Sequence, residues 1–287
     1  MIDDRDKIVA DKSLGQHFLF DPAVLHEIVD FAGVDSDDVV LEIGPGLGTL
    51  TQILTQKARA VIAVEFDKEL ASKLSLRGRS PKQSDNESRD RLLPPDQVRG
   101  RNDSGQLEVI NADFLQFDLN QLPVGYRVVA NIPYYITAKI VRKLLTAENK
   151  PKSATLLVQK EVAERLAATA GDLSILAISA QVYSRVTLGP VIRKNLFTPP
   201  PKVDSQVVKM ELLDQNLIAD IDENDFFKFV KIGFSAPRKK VLKNLANGLH
   251  KDPDEIRTAF AELRISENAR AEDLSIENWK NLLKILR

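Results

Sequence analysis

The sequence predicts an α/β protein: a parallel, doubly wound sheet followed by a small all-helical domain. Three observations carry that expectation. Short apolar runs alternate with helical spacing through the first half of the chain, a glycine-rich turn follows the first such run, and after about Asp214 the spacing becomes helical to the end. Strands that alternate with helices in this way pair in parallel, because each crossover returns over a sheet face.

The elements follow in order. Asp21-Pro22 opens a helix with a capping carboxylate and a proline at the first helical position, and Val24, Leu25, Ile28 and Val29 then share a face. Val39–Ile43 reads as a buried strand that runs into glycines, with Leu47, Leu50, Ile53 and Leu54 at helical spacing after it. Val61–Val64 is a second strand, and Asp67 caps the helix that follows. Leu107–Ile110 and Arg127–Ala130 are two further strands, a helix spans Thr137–Leu145, and Ala154–Val158 is the next strand. Gln181–Leu188 and Gln206–Leu213 are expected as strands of an antiparallel edge. In the second domain Asp222 caps one helix, Ser235 starts another, Asp252-Pro253 repeats the cap-plus-proline signal, and Leu274–Leu286 is the last. The expected division is therefore 1–214 and 215–287.

Ser75 to Gln106 stands apart. It is rich in Arg, Ser, Asp, Pro and Gly and almost free of large apolar residues, so it buries too little surface to offset its ordering entropy. It is expected to be a flexible surface insertion.

Composition narrows the chemistry. The 287 residues suffice for one large domain and a smaller one, and 43% hydrophobic with 28% charged residues is ordinary for a globular chain. No apolar run approaches the roughly 20 residues of a bilayer-spanning helix, and the charged N-terminus lacks an apolar signal core, so neither membrane insertion nor export is expected. Zero cysteines exclude disulfides, a catalytic thiol and thiolate metal sites. His17, His26 and His250 show no ligand spacing, so no metal is expected. The net charge of −1 is uninformative, but Phe226–Lys251 holds no acidic residue and seven basic ones, among them Arg238, Lys239, Lys240 and Lys243, placed on a predicted helix. Such a run is usually a solvated face; with no acidic compensation, phosphate binding is an equal expectation.

Four motifs carry chemistry. Glu42-Ile43-Gly44-Pro45-Gly46-Leu47-Gly48 follows the first strand; its glycines let backbone approach a ligand, and the next helix points its N-terminus there. Glu65 ends the second strand, where a carboxylate accepts both ribose hydroxyls of a nucleoside cofactor. A nicotinamide dehydrogenase would share those two features. Asp113, after the third strand, is placed to accept a cofactor's adenine amino group, although a turn or cap role is equally ordinary there. Asn131-Ile132-Pro133-Tyr134 discriminates. The lone pair of a purine's exocyclic amine is delocalised into the ring; an Asn oxygen and a backbone carbonyl that accept its two N–H bonds localise the lone pair and aim it at a methyl group. Pro133 fixes that turn, and Tyr134 offers a stacking face. Hydride transfer needs no such tetrapeptide. Finally, the prolines of Phe197-Thr198-Pro199-Pro200-Pro201-Lys202-Val203-Asp204-Ser205 would hold Phe197 as a second aromatic face opposite Tyr134, the alternative being a stiffened connection with Phe197 in the core.

In this order, Leu14–Leu19, Glu42–Gly48, Glu65, Asp113, Asn131–Tyr134, Gln159–Leu166, Phe197–Val208 and Phe234–Leu245 resemble the small-subunit (16S) rRNA adenine-N6,N6 dimethyltransferase family of the KsgA/RsmA type. The resemblance implies a Rossmann-like class I S-adenosylmethionine-dependent methyltransferase sheet with a small C-terminal helical RNA-binding domain. It implies S-adenosyl-L-methionine held by His17, Leu19, Gly44, Gly46, Glu65, Asp113 and Asn131, with Asn131, Pro133, Tyr134 and Phe197 around the target base. The implied substrate is a pair of adjacent adenosines in the 3′-terminal hairpin loop of small-subunit rRNA, within the 30S subunit or its precursor, each dimethylated during ribosome biogenesis by a cytoplasmic monomer. Position 17 is His where the family usually has Asn, and Ser75–Gln106 replaces a short connection. The competing expectations are a large-subunit rRNA adenine methyltransferase of the antibiotic-resistance type, a DNA adenine methyltransferase, and a non-catalytic assembly factor on the same fold.

Overall fold

The structure is a computed structural model and describes residues 15–78 and 106–287, so Lys12–Leu14 and the stretch 79–105 of the expected insertion lie outside the described residues. At the insertion's flanks the expectation is corrected. Helix continues through Ser75, whose hydroxyl donates to the Ala71 carbonyl at 2.9 Å, as far as Gly78, and the next strand already begins at Gln106.

The described chain divides into two compact units, one holding the chain up to Ala163 with Thr187–Leu212, the other Glu164–Val186 with Leu213–Arg287. The division expected at 214 differs by assigning 164–186 to the first unit. The chain leaves the sheet after its parallel strands and re-enters it, a detour that a linear boundary cannot express.

The first unit carries β1 (Phe18–Leu19), α1 (Pro22–Ala32), β2 (Val39–Ile43), α2 (Thr49–Lys57), β3 (Ala60–Glu65), α3 (Lys68–Gly78), β4 (Gln106–Asn111), β5 (Arg127–Asn131), α4 (Thr137–Thr146) and β6 (Ser153–Gln159). α5 (Lys160–Leu166), α6 (Ile175–Gln181) and β7 (Ser184–Ile192) follow, then β8 (Phe197–Thr198) and β9 (Ser205–Leu212). The large sheet has the order β4-β3-β2-β5-β6-β9-β7, parallel from β4 to β6, with β9 antiparallel to β6. Strand order reverses between β2 and β5, and in such sheets the crevice outside the carboxyl ends of those strands is where ligands bind.

Local chemistry sets the element boundaries. The Asp21 carboxylate accepts the Ala23 and Val24 N–H groups at 2.9 and 3.3 Å, and Gly33 ends α1 in the left-handed region. Asp67 caps α3 in the same manner through the Glu69 and Leu70 N–H groups. Leu25, Ile28 and Val29 of α1 pack with Val40, Val61 and Val129 of the sheet in one buried cluster.

One strand expectation is corrected. Gln181 ends a helix instead of starting a strand: Ser174 caps α6 by accepting the Ala177 N–H at 3.2 Å, Ala177, Ile178 and Ala180 are buried, and the strand begins only at Ser184.

The second unit adds α7 (Glu223–Gly233), α8 (Val241–Leu249), α9 (Pro253–Glu262) and α10 (Ile276–Leu286). Its core is built on fully buried Trp279, stacked on Phe234 at 5.8 Å and edge-on to Phe229 at 5.9 Å. A Cβ on Gly233 would clash with that indole, so α7 must carry glycine there. Ser235 does not start a helix. Pro237 disfavours helical backbone at Ala236, and buried Asn244 donates to the Gly233 and Ala236 carbonyls, holding the turn open until Val241. Arg238, Lys239 and Lys240 consequently lie on an exposed turn, and Lys243 alone of the four lies within α8.

Candidate active site

A cleft of about 380 Å³ opens at the carboxyl ends of β2, β3 and β5. The motifs that follow different strands meet there: Gly44 and Gly46 after β2, Glu65 at the end of β3, Asp113 after β4, and Asn131, Pro133 and Tyr134 after β5, with His17 and Leu19 from the N-terminal side. Of the residues expected at the cofactor and target base, Phe197 alone is absent from the lining.

The floor is built around Glu65. This buried carboxylate accepts the Gly46 N–H on one oxygen at 3.0 Å and the Asp67 N–H on the other at 2.8 Å. Burial pushes its pKa up, and those two backbone bonds oppose the rise. Fixed from behind, each oxygen keeps a lone pair for a ribose hydroxyl. Gly46 has φ of +58°, and a Cβ there would sit 3.0 Å from the Phe18 ring, so the loop's path and its close approach to Phe18 both require glycine. At Gly44 the place of a Cβ is open space within the cleft.

Glu42, 1% exposed, lies beneath the same cleft with its Oε2 unpartnered. Burial, with a further push from the nearby Glu65 carboxylate, raises its pKa to about 8. Asp113 bonds the Leu115 N–H at 2.8 Å and the Gln116 amide at 3.3 Å, so it is a turn residue that also lines the cleft. Its loop is held by Lys143, which donates to the Leu115 and Phe117 carbonyls at 3.0 and 2.5 Å. Glu42, Glu65 and Asp113 thus face the cleft, against Lys139 as the one lysine or arginine among its described lining residues. With Glu42 held protonated by burial, the charge that suits a cationic nucleoside and disfavours the pyrophosphate of a dinucleotide comes from Glu65 and Asp113. S-adenosylmethionine, with its ribose, sulfonium and ammonium, fits these donors and charges.

The rim at Asn131 and Tyr134 is held by long-range bonds. The Asn131 Nδ2 donates to the His17 carbonyl at 3.1 Å, which fixes the amide with its oxygen as the acceptor left over. The Pro133 carbonyl accepts the Ile136 N–H at 3.3 Å, whereas the Ile132 carbonyl, beside Asn131 in the lining, receives no bond from the described residues. Tyr134 is half-buried; its hydroxyl bonds Ser205 Oγ at 2.5 Å, and burial pushes its pKa up. The His17 ring stacks on Tyr134 at 5.7 Å and 24°, and its Nδ1 bonds the Pro199 carbonyl at 2.8 Å.

These contacts correct the expectation for the proline-rich loop. Phe197 is 2% exposed and packed in the core with Leu19 and Ile192. It pairs with Leu19 in the short β1–β8 ladder, and its side chain is buried and absent from the cleft lining. The loop instead buttresses Tyr134 and His17 from behind, through Ser205 and Pro199. Two residues that motif reasoning passed over stand at the rim: Phe66, 62% exposed, and Tyr135, 65% exposed. Each directly follows a residue the motifs did identify. Arg238, Lys239, Lys240 and Lys243 are all exposed in the second unit, with the Lys240 ammonium on the Asn268 side-chain oxygen.

This strand order and acid-floored nucleoside cleft define a Rossmann-like S-adenosylmethionine-dependent methyltransferase. Comparison with known proteins narrows the class: the family model described as ribosomal RNA adenine dimethylase matches residues 9–86 and 75–287. The chain belongs to that family. It is 37% identical over 276 residues to the ribosomal RNA small subunit methyltransferase A of Dehalococcoides mccartyi strain CBDB1, covering 95% of this chain and 87% of the relative. The protein of that description from Alkaliphilus oremlandii is 36% identical, with 93% and 88% covered. Among solved structures, the 23S rRNA methyltransferase ErmE superposes with a TM-score of 0.70 at 26% identity over 94% of this chain and 99% of its own. A dimethyladenosine transferase from Plasmodium falciparum gives 0.70 at 27% identity, covering 93% and 96%.

Proposed function

We propose that this protein dimethylates N6 of two adjacent adenosines in the 3′-terminal hairpin loop of small-subunit rRNA. In this proposal it acts as a cytoplasmic monomer on the 30S subunit or its precursor. The observation that carries the reading is the Asn131 amide, which lines the cleft and whose Nδ2 is tied to the His17 carbonyl, leaving its oxygen as the free acceptor.

Bound S-adenosylmethionine supplies a methyl group activated by a positive sulfur. The chain's residues do the rest. Glu65 takes the ribose, Gly44 and Gly46 give backbone access, and Glu42 and Asp113 complete the acidic surroundings. On the RNA side, the Asn131 oxygen and the Ile132 carbonyl accept the two N–H bonds of the target amine, which directs its lone pair along the line of displacement. Tyr134, braced by Ser205 and His17, stacks on the extruded base. The methylated nitrogen is acidic enough to lose its proton to water, so no general base is required. The exposed cations Arg238, Lys239, Lys240 and Lys243 are assigned to RNA phosphates.

The likeness to ErmE extends over the whole fold, so architecture does not choose between ribosomal subunits; the names of the sequence relatives favour the small one. The test is labelled cofactor with unmethylated small and large subunits, followed by mapping of the modified nucleotides. Label confined to the large subunit would refute the choice. Asn131→Ala is expected to abolish turnover while cofactor binding persists, and wild-type rates in that variant would refute the mechanism.

A further inference from the structure

The rim of the cleft holds a flat surface that the methylation chemistry does not use. Tyr134 and Tyr135 are consecutive on one tight turn, and the roughly 120° advance per residue of a 3₁₀ turn sends them in different directions. Tyr134 points inward onto Ser205 and His17. Tyr135 is 65% exposed, lines the cleft, and makes no hydrogen bond with any described residue. One edge of its ring lies near Gly15, where a Cβ would sit 3.4 and 3.5 Å from Cδ1 and Cε1, so the backbone approaches that edge while most of the side chain stays open to solvent. Four residues on, in the first turn of α4, Lys139 is exposed, lines the same cleft and forms no ion pair with a described residue.

A singly exposed tyrosine needs no explanation of its own. Here it sits where a second aromatic face has a use. Extruding a base from an RNA strand leaves its neighbour without a stacking partner, and base–aromatic stacking replaces that loss for any base, since every base has a π-face. The phosphate joining the two nucleotides then passes the rim, where Lys139 is the one lysine or arginine among the described lining residues.

We propose that Tyr135 and Lys139 form a second nucleotide subsite: Tyr135 stacks on the base adjacent to the target, and Lys139 pairs with the phosphate between them. This rests on the reading that an RNA adenine occupies the cleft. Being sequence-tolerant, the subsite lets either of two consecutive adenines take the target position while the other occupies the rim.

The test is steady-state methyl transfer to unmethylated small subunits by the full chain carrying Tyr135→Ala, Tyr135→Phe or Lys139→Ala, with S-adenosylmethionine affinity measured by calorimetry. Tyr135→Ala is expected to raise KM for the subunit roughly 5- to 150-fold, the worth of one stacked base, with kcat and cofactor affinity near wild type. Tyr135→Phe keeps the flat face and restores the KM. Lys139→Ala raises KM and lowers the slope of log affinity against log salt by about one. Retained cofactor affinity in Tyr135→Ala shows that the variant is folded. A wild-type KM in that variant, or a Phe variant as poor as the Ala one, overturns the subsite and leaves the functional reading standing. A wild-type protein that binds cofactor yet methylates neither subunit overturns the functional reading, and the subsite with it.

Discussion

Replacing Glu42 by glutamine removes one titrating group from beneath the cleft and keeps its shape. Burial raises the Glu42 pKa from an ordinary 4.5 to about 8. The folded chain therefore holds this proton over a range in which the unfolded chain has lost it. Across that window folding takes up a proton, so stability falls as pH rises, by about 1.4 kcal/mol per pH unit. The full interval amounts to a loss on the order of 5 kcal/mol, complete once pH passes the folded value. Glutamine resembles the neutral acid and does not titrate. Glu42→Gln should lie closest to the parent at the acid end, near pH 5, and exceed it progressively up to pH 8, with the difference constant above that. Urea unfolding of both proteins at several pH values between 5 and 9 gives the comparison, because titrations of groups that do not couple to Glu42 cancel in the difference. A stability gap that does not change with pH would refute the assignment of a buried, neutral Glu42.

Two further predictions separate structural from ligand-contacting roles. Phe197→Ala should destabilise the protein by about 3–5 kcal/mol in urea unfolding, as expected for a buried aromatic; weakened RNA binding at unchanged stability would restore Phe197 as a stacking face. Gly46→Ala places a Cβ 3.0 Å from the Phe18 ring at φ +58°, so the loop must shift at a cost of about 1–2 kcal/mol. Calorimetry should then show S-adenosylmethionine affinity reduced roughly 5- to 30-fold, and an unchanged affinity would mean that the Gly46 backbone does not approach the cofactor.

What was legible in the sequence was what local physics enforces. Four of the five parallel strands, β2, β3, β5 and β6, are buried almost throughout and so read as short apolar runs between glycines and caps, while the edge strand β4 is only partly buried. The ligand motifs were visible because each sits at a strand's carboxyl end, where Gly44, Gly46 and Pro133 mark backbone that cannot continue a strand. Errors arose where tertiary context outweighed local pattern. Gln181-Val182-Tyr183 looks like a strand start, yet the Ser174 cap and three buried residues extend α6 through Gln181. Ser235 looks like a cap, yet Pro237 and the two Asn244 bonds delay α8. Phe197 in a proline-rich loop fits a presented aromatic equally well, until the pairing of Leu19 with Phe197 places it in the core.

The polar geometry of the site was the least legible part, because its bonds join distant segments. Asn131 to His17, His17 to Pro199 and Tyr134 to Ser205 span 114, 182 and 71 residues. The sequence offers the side chains but not the ties that hold the Asn131 amide and brace the Tyr134 ring. It also explains how His can stand at position 17. The bond that orients Asn131 comes from the residue-17 backbone, which any side chain supplies, while the imidazole adds a stacking contact to Tyr134 and a bond to Pro199. The substitution therefore leaves the backbone tie to Asn131 intact and acts on the contacts that hold the Tyr134 ring.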